Sequence, residues 1–372
     1  MRIGSPKEIK NHEYRVGLIP AAVRELTSRG HTVMIESHAG EAIGLSDEAY
    51  RAAGALVVQG ADELFAVADL IVKVKEPQAA EIARLRSGQI LFTYLHLAPD
   101  AKQARGLLAS DAVCIAYETV TDPFGGLPLL APMSEVAGRM SIQAGAHALE
   151  IASGGCGMLL GGVPGVAPAR VTILGGGVVG VNAARMAIGL GAQVTLLDIN
   201  LHRLAEVDAL FGGRIVTLHS TLQAVEDAVL DADLVIGGVL VPGAKAPRLI
   251  TEEMVWKMKK GAVIVDVAVD QGGCAETTHA TTHADPTYIV HNVVHYCVAN
   301  MPGAVARTST FALGNATLPF VVALAEKGVV RALNDNAHLR GGLNIWHGTV
   351  THRAVAAAIG MPYTTAESVL KP

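Results

Sequence analysis

Apolar positions change period repeatedly along the chain. Short runs rich in β-branched residues alternate with stretches in which apolar residues return every three or four positions, the form taken by successive β–α units feeding a parallel sheet. In the first part this pattern predicts strands at Arg2–Gly4, Thr32–Glu36, Ala55–Val58, Leu70–Val74, Gln89–Thr93 and Val113–Ala116. Helices are predicted over Pro20–Arg29, Ser46–Ala53, Gln78–Leu85 and Asp100–Leu108. A stretch of strong helix formers from Glu135 to about Ala152 leads into the glycine- and proline-rich SGGCGMLLGGVPGVAP, and a second series begins. Its strands are expected at Val171–Leu174, Gln193–Leu197, Arg214–Leu218, Leu234–Gly237, Ala262–Asp266 and Tyr288–Val290. Its helices include Val178–Leu190 and Thr251–Met258, the latter opened by Thr251 with Glu252 and Glu253 in the first turn. A last helix, roughly Ser309 to Lys327, and a tail too short for a third domain return the chain to the first. The expected fold is α/β, with two doubly wound parallel-sheet domains: residues 131–306 inserted into a discontinuous domain made of 1–130 and 307–372. Two domains imply a cleft, which hinge motion near residues 130 and 307 would close.

Composition supports this architecture and removes several functions. Of 372 residues, 51% are hydrophobic and 17% charged, as suits buried strands covered by helices on both faces. A net charge of -5 without basic runs or interleaved aromatics excludes a nucleic-acid partner. The opening MRIGSPKEIKNHEYR is charged from the start, and no run of about 18 uninterrupted apolar residues follows, so no membrane partner is expected and the cytoplasm is the expected location. Cys114, Cys156, Cys274 and Cys297 are widely spaced and read as unpaired thiols. The pairs His279/His283 and His291/His295 lack the glutamate of a zinc-protease helix, and no metal is expected.

The sharpest local signal is VTILGGGVVG, where Gly175, Gly177 and Gly180 fill a G-x-G-x-x-G pattern between a strand and a helix. Gly175 permits the tight turn, Gly177 lets the backbone approach a pyrophosphate, and Gly180 lets helix and strand pack closely; the helix N-terminus, with Val178 and Val179, favours negative charge. Asp198 ends the next strand, eighteen residues beyond Gly180, where a carboxylate accepts hydrogen bonds from ribose hydroxyls and repels a 2′-phosphate. This favours NAD over NADP, while Arg203 close by leaves NADP open. The inserted domain is thus expected to be a Rossmann NAD-binding domain.

In open α/β sheets ligands bind beyond the carboxyl ends of the strands. Lys75 follows LIVKV, His96 follows ILFTYL and Asp270 follows VIVDVAV, while Arg15 lies in the loop region after the first strand. Each alone is ordinarily a solvated charge or a satisfied histidine. Together they fit hydride transfer to or from a small carboxylate-bearing substrate: an arginine fork and a lysine for the carboxylate, a histidine and an aspartate for protons.

These motifs resemble the alanine dehydrogenase family over essentially the whole chain, through PKEIKNHEYRVGLIPAAV, VKVKEP, LFTYLHLAP, LPLLAPMSEVAGRM, LGGGVVG, GGVLVPGAKAP, VDVAVDQGGC, HYCVANMPGAVARTST and FALGNATLP. The resemblance implies oxidative deamination of L-alanine to pyruvate and ammonium with NAD, run in reverse as reductive amination. It assigns the substrate carboxylate and carbonyl to Arg15 and Lys75, proton donation and acceptance to His96, and assistance of water attack to Asp270. It lines the NAD site with Ser134, Asp198, Arg203, Ser220, Val239, Leu240, Val267, Ala268, Val269, Asp270, Val298, Ala299, Asn300 and Met301, and implies a homohexamer. Reduction of glyoxylate is an expected side activity, since a pocket for a methyl group excludes a hydrogen only weakly. Two alternatives stand beside this reading: a transhydrogenase-like NAD(H)-binding subunit, and a protein that senses NAD without turnover. His279 stands where relatives can carry an arginine. Lys327 lies near a position where some relatives place a histidine paired with a glutamate such as Glu118 for magnesium, and that metal is not carried over.

Overall fold

The structure is a computed structural model that describes residues 1–239 and 247–371. The chain forms two compact units, Met1–Met133 together with Val305–Pro372, and Ser134–Ala304.

The first unit carries six parallel strands: β1 (Arg2–Ser5), β2 (Thr32–Glu36), β3 (Leu56–Val58), β4 (Leu70–Val72), β5 (Ile90–Thr93) and β6 (Val113–Ala116). Their order is β3-β2-β1-β4-β5-β6, so the chain winds outward from β1 in one direction and then crosses over to β4 to wind in the other. Strands β4, β5 and β6 are buried throughout, which is why they read as continuous apolar runs without alternation.

The second unit repeats the plan with β7 (Arg170–Leu174), β8 (Gln193–Asp198), β9 (Val216–His219), β10 (Leu234–Gly237), β11 (Val263–Asp266), β12 (Thr287–Val290) and β13 (Val293–Tyr296). The parallel order is β9-β8-β7-β10-β11-β13, and β12 lies antiparallel at the edge on β13. Alternate strand residues face two cores. Ile173, Leu196, Ile236 and Val265 pack with Ala183, Ala184 and Ala187 of the helix Val178–Gly189. Leu174, Leu197, Val235 and Ile264 pack on the other face with Val225, Val229, Met254 and Val255.

Some predicted elements shift. The strand expected at Tyr288–Val290 is the antiparallel edge strand; the sixth parallel strand is β13, which the turn His291–Asn292 separates from it. Both turn residues have positive φ, 51° and 63°, the two-residue arrangement whose twist suits a hairpin. The helix expected over Gln78–Leu85 shortens to Ala79–Ile82, opened by a reciprocal capping box between Gln78 and Glu81. The strand expected at Arg214–Leu218 begins at Val216. Thr251 accepts the Met254 N–H at 3.2 Å, as its place before Glu252–Lys257 implied. After the helix Ala306–Lys327 the tail adds two strands absent from the sequence-based expectation, β14 (Leu343–Trp346), antiparallel to β6, and β15 (Thr349–Val350).

The segment Met301–Lys327 is long and apolar enough by composition to cross a bilayer. Its helix Ala306–Lys327 buries Ser309, Thr310, Leu313, Gly314, Thr317, Val321 and Leu324, and it contacts the helices Pro20–Ser28 and Val329–Asp335 within the first unit.

Candidate active site

In the second unit the residues expected to line a dinucleotide site fall beyond the carboxyl ends of six adjacent parallel strands. Gly175–Gly180 follow β7, Asp198 ends β8, Ser220 follows β9, Val239 follows β10, Val267–Asp270 follow β11 and Val298–Met301 follow β13. The crossover between β7 and β10 is where the winding reverses, the point at which open α/β sheets bind ligands. Leu240 lies outside the described residues. Ser134 is half-buried in the first turn of the helix Ala131–Ala148.

The glycine loop has the form its spacing implied. Gly175 has φ +97°, and a Cβ on Gly180 would stand 1.9 Å from the Gly175 carbonyl oxygen. A Cβ on Gly177 would meet no atom within 4 Å, and the helix Val178–Gly189 starts there with no side chain capping it. Open space before helix amides fits a pyrophosphate. The Asp198 carboxylate accepts the Gly176 N–H at 2.7 Å and the Asn200 N–H at 2.8 Å. Arg203 donates to the Gly176 carbonyl oxygen at 2.6 Å and to Glu206 at 2.6 Å, and this bond holds the Glu206 carboxyl below the usual range. Both side chains therefore fasten the glycine loop, and Arg203 already has an anionic partner.

Asp270 is exposed on the short turn Val269–Gln271. Its loop is held from below by Asp266, fully buried, which accepts the Ala268 N–H at 3.0 Å and the Cys274 N–H at 2.8 Å. Burial pushes the Asp266 carboxyl up, and its donors, Thr278 first among them, oppose that shift. His279 stacks on Tyr288 at 3.9 Å between ring centroids. His283 meets the Asn300 carbonyl oxygen at 2.9 Å. The four cysteines are free thiols.

In the first unit, Arg15 precedes the helix Pro20–Ser28, Lys75 follows β4 and His96 follows β5. Arg15 is buried and donates through Nε and Nη2 to the two oxygens of Glu13 at 2.7 and 2.6 Å, while its Nη1 lies 3.1 Å from Met133 Sδ. Burial lowers the Arg15 pKa, and the bond and charge of Glu13 more than offset this. The Lys75 ammonium stands 3.8 Å from Glu76, itself bonded to Lys10. His96 is 43% exposed and its ring lies parallel to that of Tyr94, 5.7 Å between centroids. Burial pushes the Tyr94 phenol well up, which keeps it neutral. The backbone of His96 is left-handed, φ +49°, and its N–H donates to Glu118 at 2.6 Å. This arrangement puts a buried cation, a second cation and an imidazole on loops beyond the carboxyl ends of one sheet's strands, a set whose chemistry suits a small carboxylate and proton transfer beside it.

Sequence reasoning missed the carboxylates that bond to these groups or their loops, namely Glu8, which accepts the Lys75 N–H at 3.3 Å, Glu13, Glu118 as a support of His96, and Asp266, together with Lys73, the buried partner of Glu8. One signal was available. Lys73 interrupts the apolar run LIVKV, and a lysine buried just past the end of a central strand requires buried carboxylates.

The profile described as Alanine dehydrogenase/PNT, N-terminal domain, matches residues 4–137, and that described as Alanine dehydrogenase/PNT, C-terminal domain, matches residues 141–353. The chain is 62% identical over 370 residues to an alanine dehydrogenase of Halomonas elongata and 54% identical over 370 residues to one of Mycolicibacterium smegmatis, with 100% of each chain covered in both cases. A solved L-alanine dehydrogenase structure superposes with a TM-score of 0.94 at 53% identity, covering 97% of this chain and 99% of that one. A transhydrogenase from Sinorhizobium meliloti superposes with a TM-score of 0.81 at 26% identity, covering 95% and 100%.

Proposed function

The chain belongs to the alanine dehydrogenase/PNT family, and from that premise we propose that it is an NAD-dependent alanine dehydrogenase, converting L-alanine to pyruvate and ammonium and running in reverse as a reductive amination. The observation that carries the reading is the placement of Arg15, Lys75 and His96 in loops of one doubly wound unit, with a complete dinucleotide loop and Asp270 in the other.

Bound NAD supplies the acceptor for the hydride that leaves the alanine Cα. Arg15, kept charged by Glu13, and Lys75 hold the substrate carboxylate and the carbonyl oxygen of pyruvate as cations. The alanine ammonium first gives a proton to His96, and the freed nitrogen lone pair forms the C=N bond as the hydride leaves Cα, giving an iminium. Asp270 assists water attack there by taking a proton from the water. His96 returns the proton it took to the carbinolamine nitrogen and then accepts the hydroxyl proton as the C–N bond breaks, releasing pyruvate and ammonia; the ammonia takes that proton from His96 and leaves as ammonium, while the water proton held by Asp270 passes to solvent. Asp198 favours the ribose hydroxyls of NAD, and pairing of Arg203 with Glu206 disfavours its use for a 2′-phosphate. The remaining lining is Ser134, Gly175, Gly177, Val178, Val179, Gly180, Ser220, Val239, residues 267–270 and residues 298–301. The family resemblance further supports a cytoplasmic homohexamer.

The transhydrogenase-like reading has the fold in its favour; the set Lys75, His96 and Asp270 has no task in it. The discriminating experiment is NADH formation from L-alanine and NAD, together with NADH consumption on pyruvate and ammonium. Turnover in both directions is expected. Measurable NADH binding without turnover in either direction overturns the proposal.

A further inference from the structure

We propose that Glu8 is a positioning residue for Lys75, acting through a buried cluster with Lys73 and Glu81; the inference rests on the reading of Lys75 as a substrate-binding cation. The Lys73 side chain is 0% exposed and lies between two carboxylates, Glu8 at 2.9 Å and Glu81 at 2.6 Å, each 2% exposed. Burial lowers the Lys73 pKa, and the two carboxylates reverse this and keep the ammonium charged; burial raises the Glu8 carboxyl, with Lys73 opposing. Lys73 is thus fully committed inside the unit and does not reach a ligand.

A buried ion cluster is poor value as a stabilising device, because well-packed apolar residues serve as well or better. Glu8 uses its oxygens unequally. Oε2 takes the Lys73 ammonium, and Oε1 accepts the N–H of Val74 at 2.7 Å and of Lys75 at 3.3 Å.

The backbone of residues 73–75 has a partner at every polar group. Lys73 N–H donates to the Phe92 carbonyl oxygen, and the Lys73 carbonyl oxygen accepts from the Tyr117 hydroxyl at 2.9 Å. The Val74 carbonyl oxygen accepts the Tyr94 N–H, and the Lys75 carbonyl oxygen accepts the Thr93 hydroxyl at 2.9 Å. The two remaining amides, where the chain leaves β4 and delivers Lys75, are the ones Glu8 holds. Glu8 comes from the loop after β1, so a distant carboxylate fixes the exit of the strand that carries the substrate cation. Lys73 and Glu81 in turn set the place of Glu8.

The test compares Glu8→Ala, Glu8→Asp, Glu8→Gln and Lys75→Ala with the wild type, by steady-state kinetics with L-alanine and with pyruvate, NADH affinity by fluorescence, and thermal melting. Glu8→Asp keeps the charge that Lys73 needs and withdraws the oxygen from the amides by one methylene, so it carries the test where Glu8→Ala does not fold. KM for both substrates is expected to rise about tenfold or more in Glu8→Ala and Glu8→Asp, with a smaller change in kcat and an NADH Kd within about twofold of wild type. Glu8→Gln, which retains an accepting oxygen, is expected to bring KM back to within about threefold. Unchanged KM in folded Glu8→Asp overturns the proposal, as does a common loss of kcat, substrate affinity and NADH affinity without rescue by glutamine. Lys75→Ala separates the two layers: unchanged substrate KM there sinks the reading of Lys75 itself, whereas a raised KM beside a normal Glu8→Asp sinks only the positioning role.

Discussion

The Glu118 carboxylate accepts the backbone N–H of His96 at 2.6 Å and stands 3.9 Å from the imidazole Nδ1. It also takes the Leu95 N–H at 3.2 Å on each oxygen. One group therefore supports a left-handed histidine backbone and faces its ring. Non-glycine residues in that region cost about 1–3 kcal/mol and persist only when their surroundings hold them. Glu118→Ala is expected to lower kcat by about tenfold to hundredfold through misplacement of the ring, with NADH affinity retained. Equal kcat in the variant and wild type would show that His96 keeps its place unaided.

The Arg15–Glu13 pair is buried on both sides, 2% and 0% exposed. Removing one partner of such a pair costs about 3–5 kcal/mol because the other charge is left uncompensated. Arg15→Ala is expected to lose stability of that order in denaturant titrations. Arg15→Lys keeps a charge and loses the fork, so its KM for alanine and pyruvate is expected to rise about tenfold. A lysine variant with wild-type KM would remove Arg15 from the substrate.

Much of the architecture was legible because periodicity and punctuation agree. The apolar strands and the glycine loop stand in the sequence where the fold has them, and Lys75, His96 and Asp270 follow β4, β5 and β11 as the strand pattern implied. The supports were not legible. Glu8 reaches the amide of Lys75 from 67 positions away and Glu118 reaches His96 from 22 positions away, and in sequence both look like ordinary surface carboxylates. Strand β13 was missed because VVHY carries a histidine in what proves to be a buried strand. His295 is tolerated there since Thr277 and the Val293 carbonyl oxygen satisfy both ring nitrogens.

That histidine is expected to make stability pH-dependent. Burial lowers the His295 pKa below its ordinary value, so the folded protein holds the ring neutral. As pH falls below about 6.5 the unfolded chain takes up a proton that the folded chain refuses, and stability drops until the lowered folded pKa is passed. His295→Gln is expected to flatten the fall in melting temperature between about pH 7 and pH 5. An unchanged pH profile would locate that sensitivity elsewhere.

Two glycines of the dinucleotide loop, Gly177 and Gly180, predict different failures. A methyl on Gly177 meets no protein atom within 4 Å and projects into the open space at the helix start. Gly177→Ala is therefore expected to melt like the wild type while its NADH Kd rises about tenfold or more. A methyl on Gly180 would lie 1.9 Å from the Gly175 carbonyl oxygen, so Gly180→Ala is expected to lose NADH binding and also about 1–3 kcal/mol of stability. Calorimetric binding beside thermal melting separates the two; a Gly177→Ala protein that binds NADH normally would remove the pyrophosphate from this loop.

The central claim is that His96 and Asp270 move the protons of an L-alanine deamination. The direct measurement is NADH formation from L-alanine and NAD by the wild type, His96→Ala and Asp270→Asn, each with its NADH affinity determined. Turnover by the wild type is predicted, with kcat falling by about 10²–10⁴ in each variant while NADH affinity is kept. A wild type silent on alanine, or variants that turn over at its rate, would contradict the account.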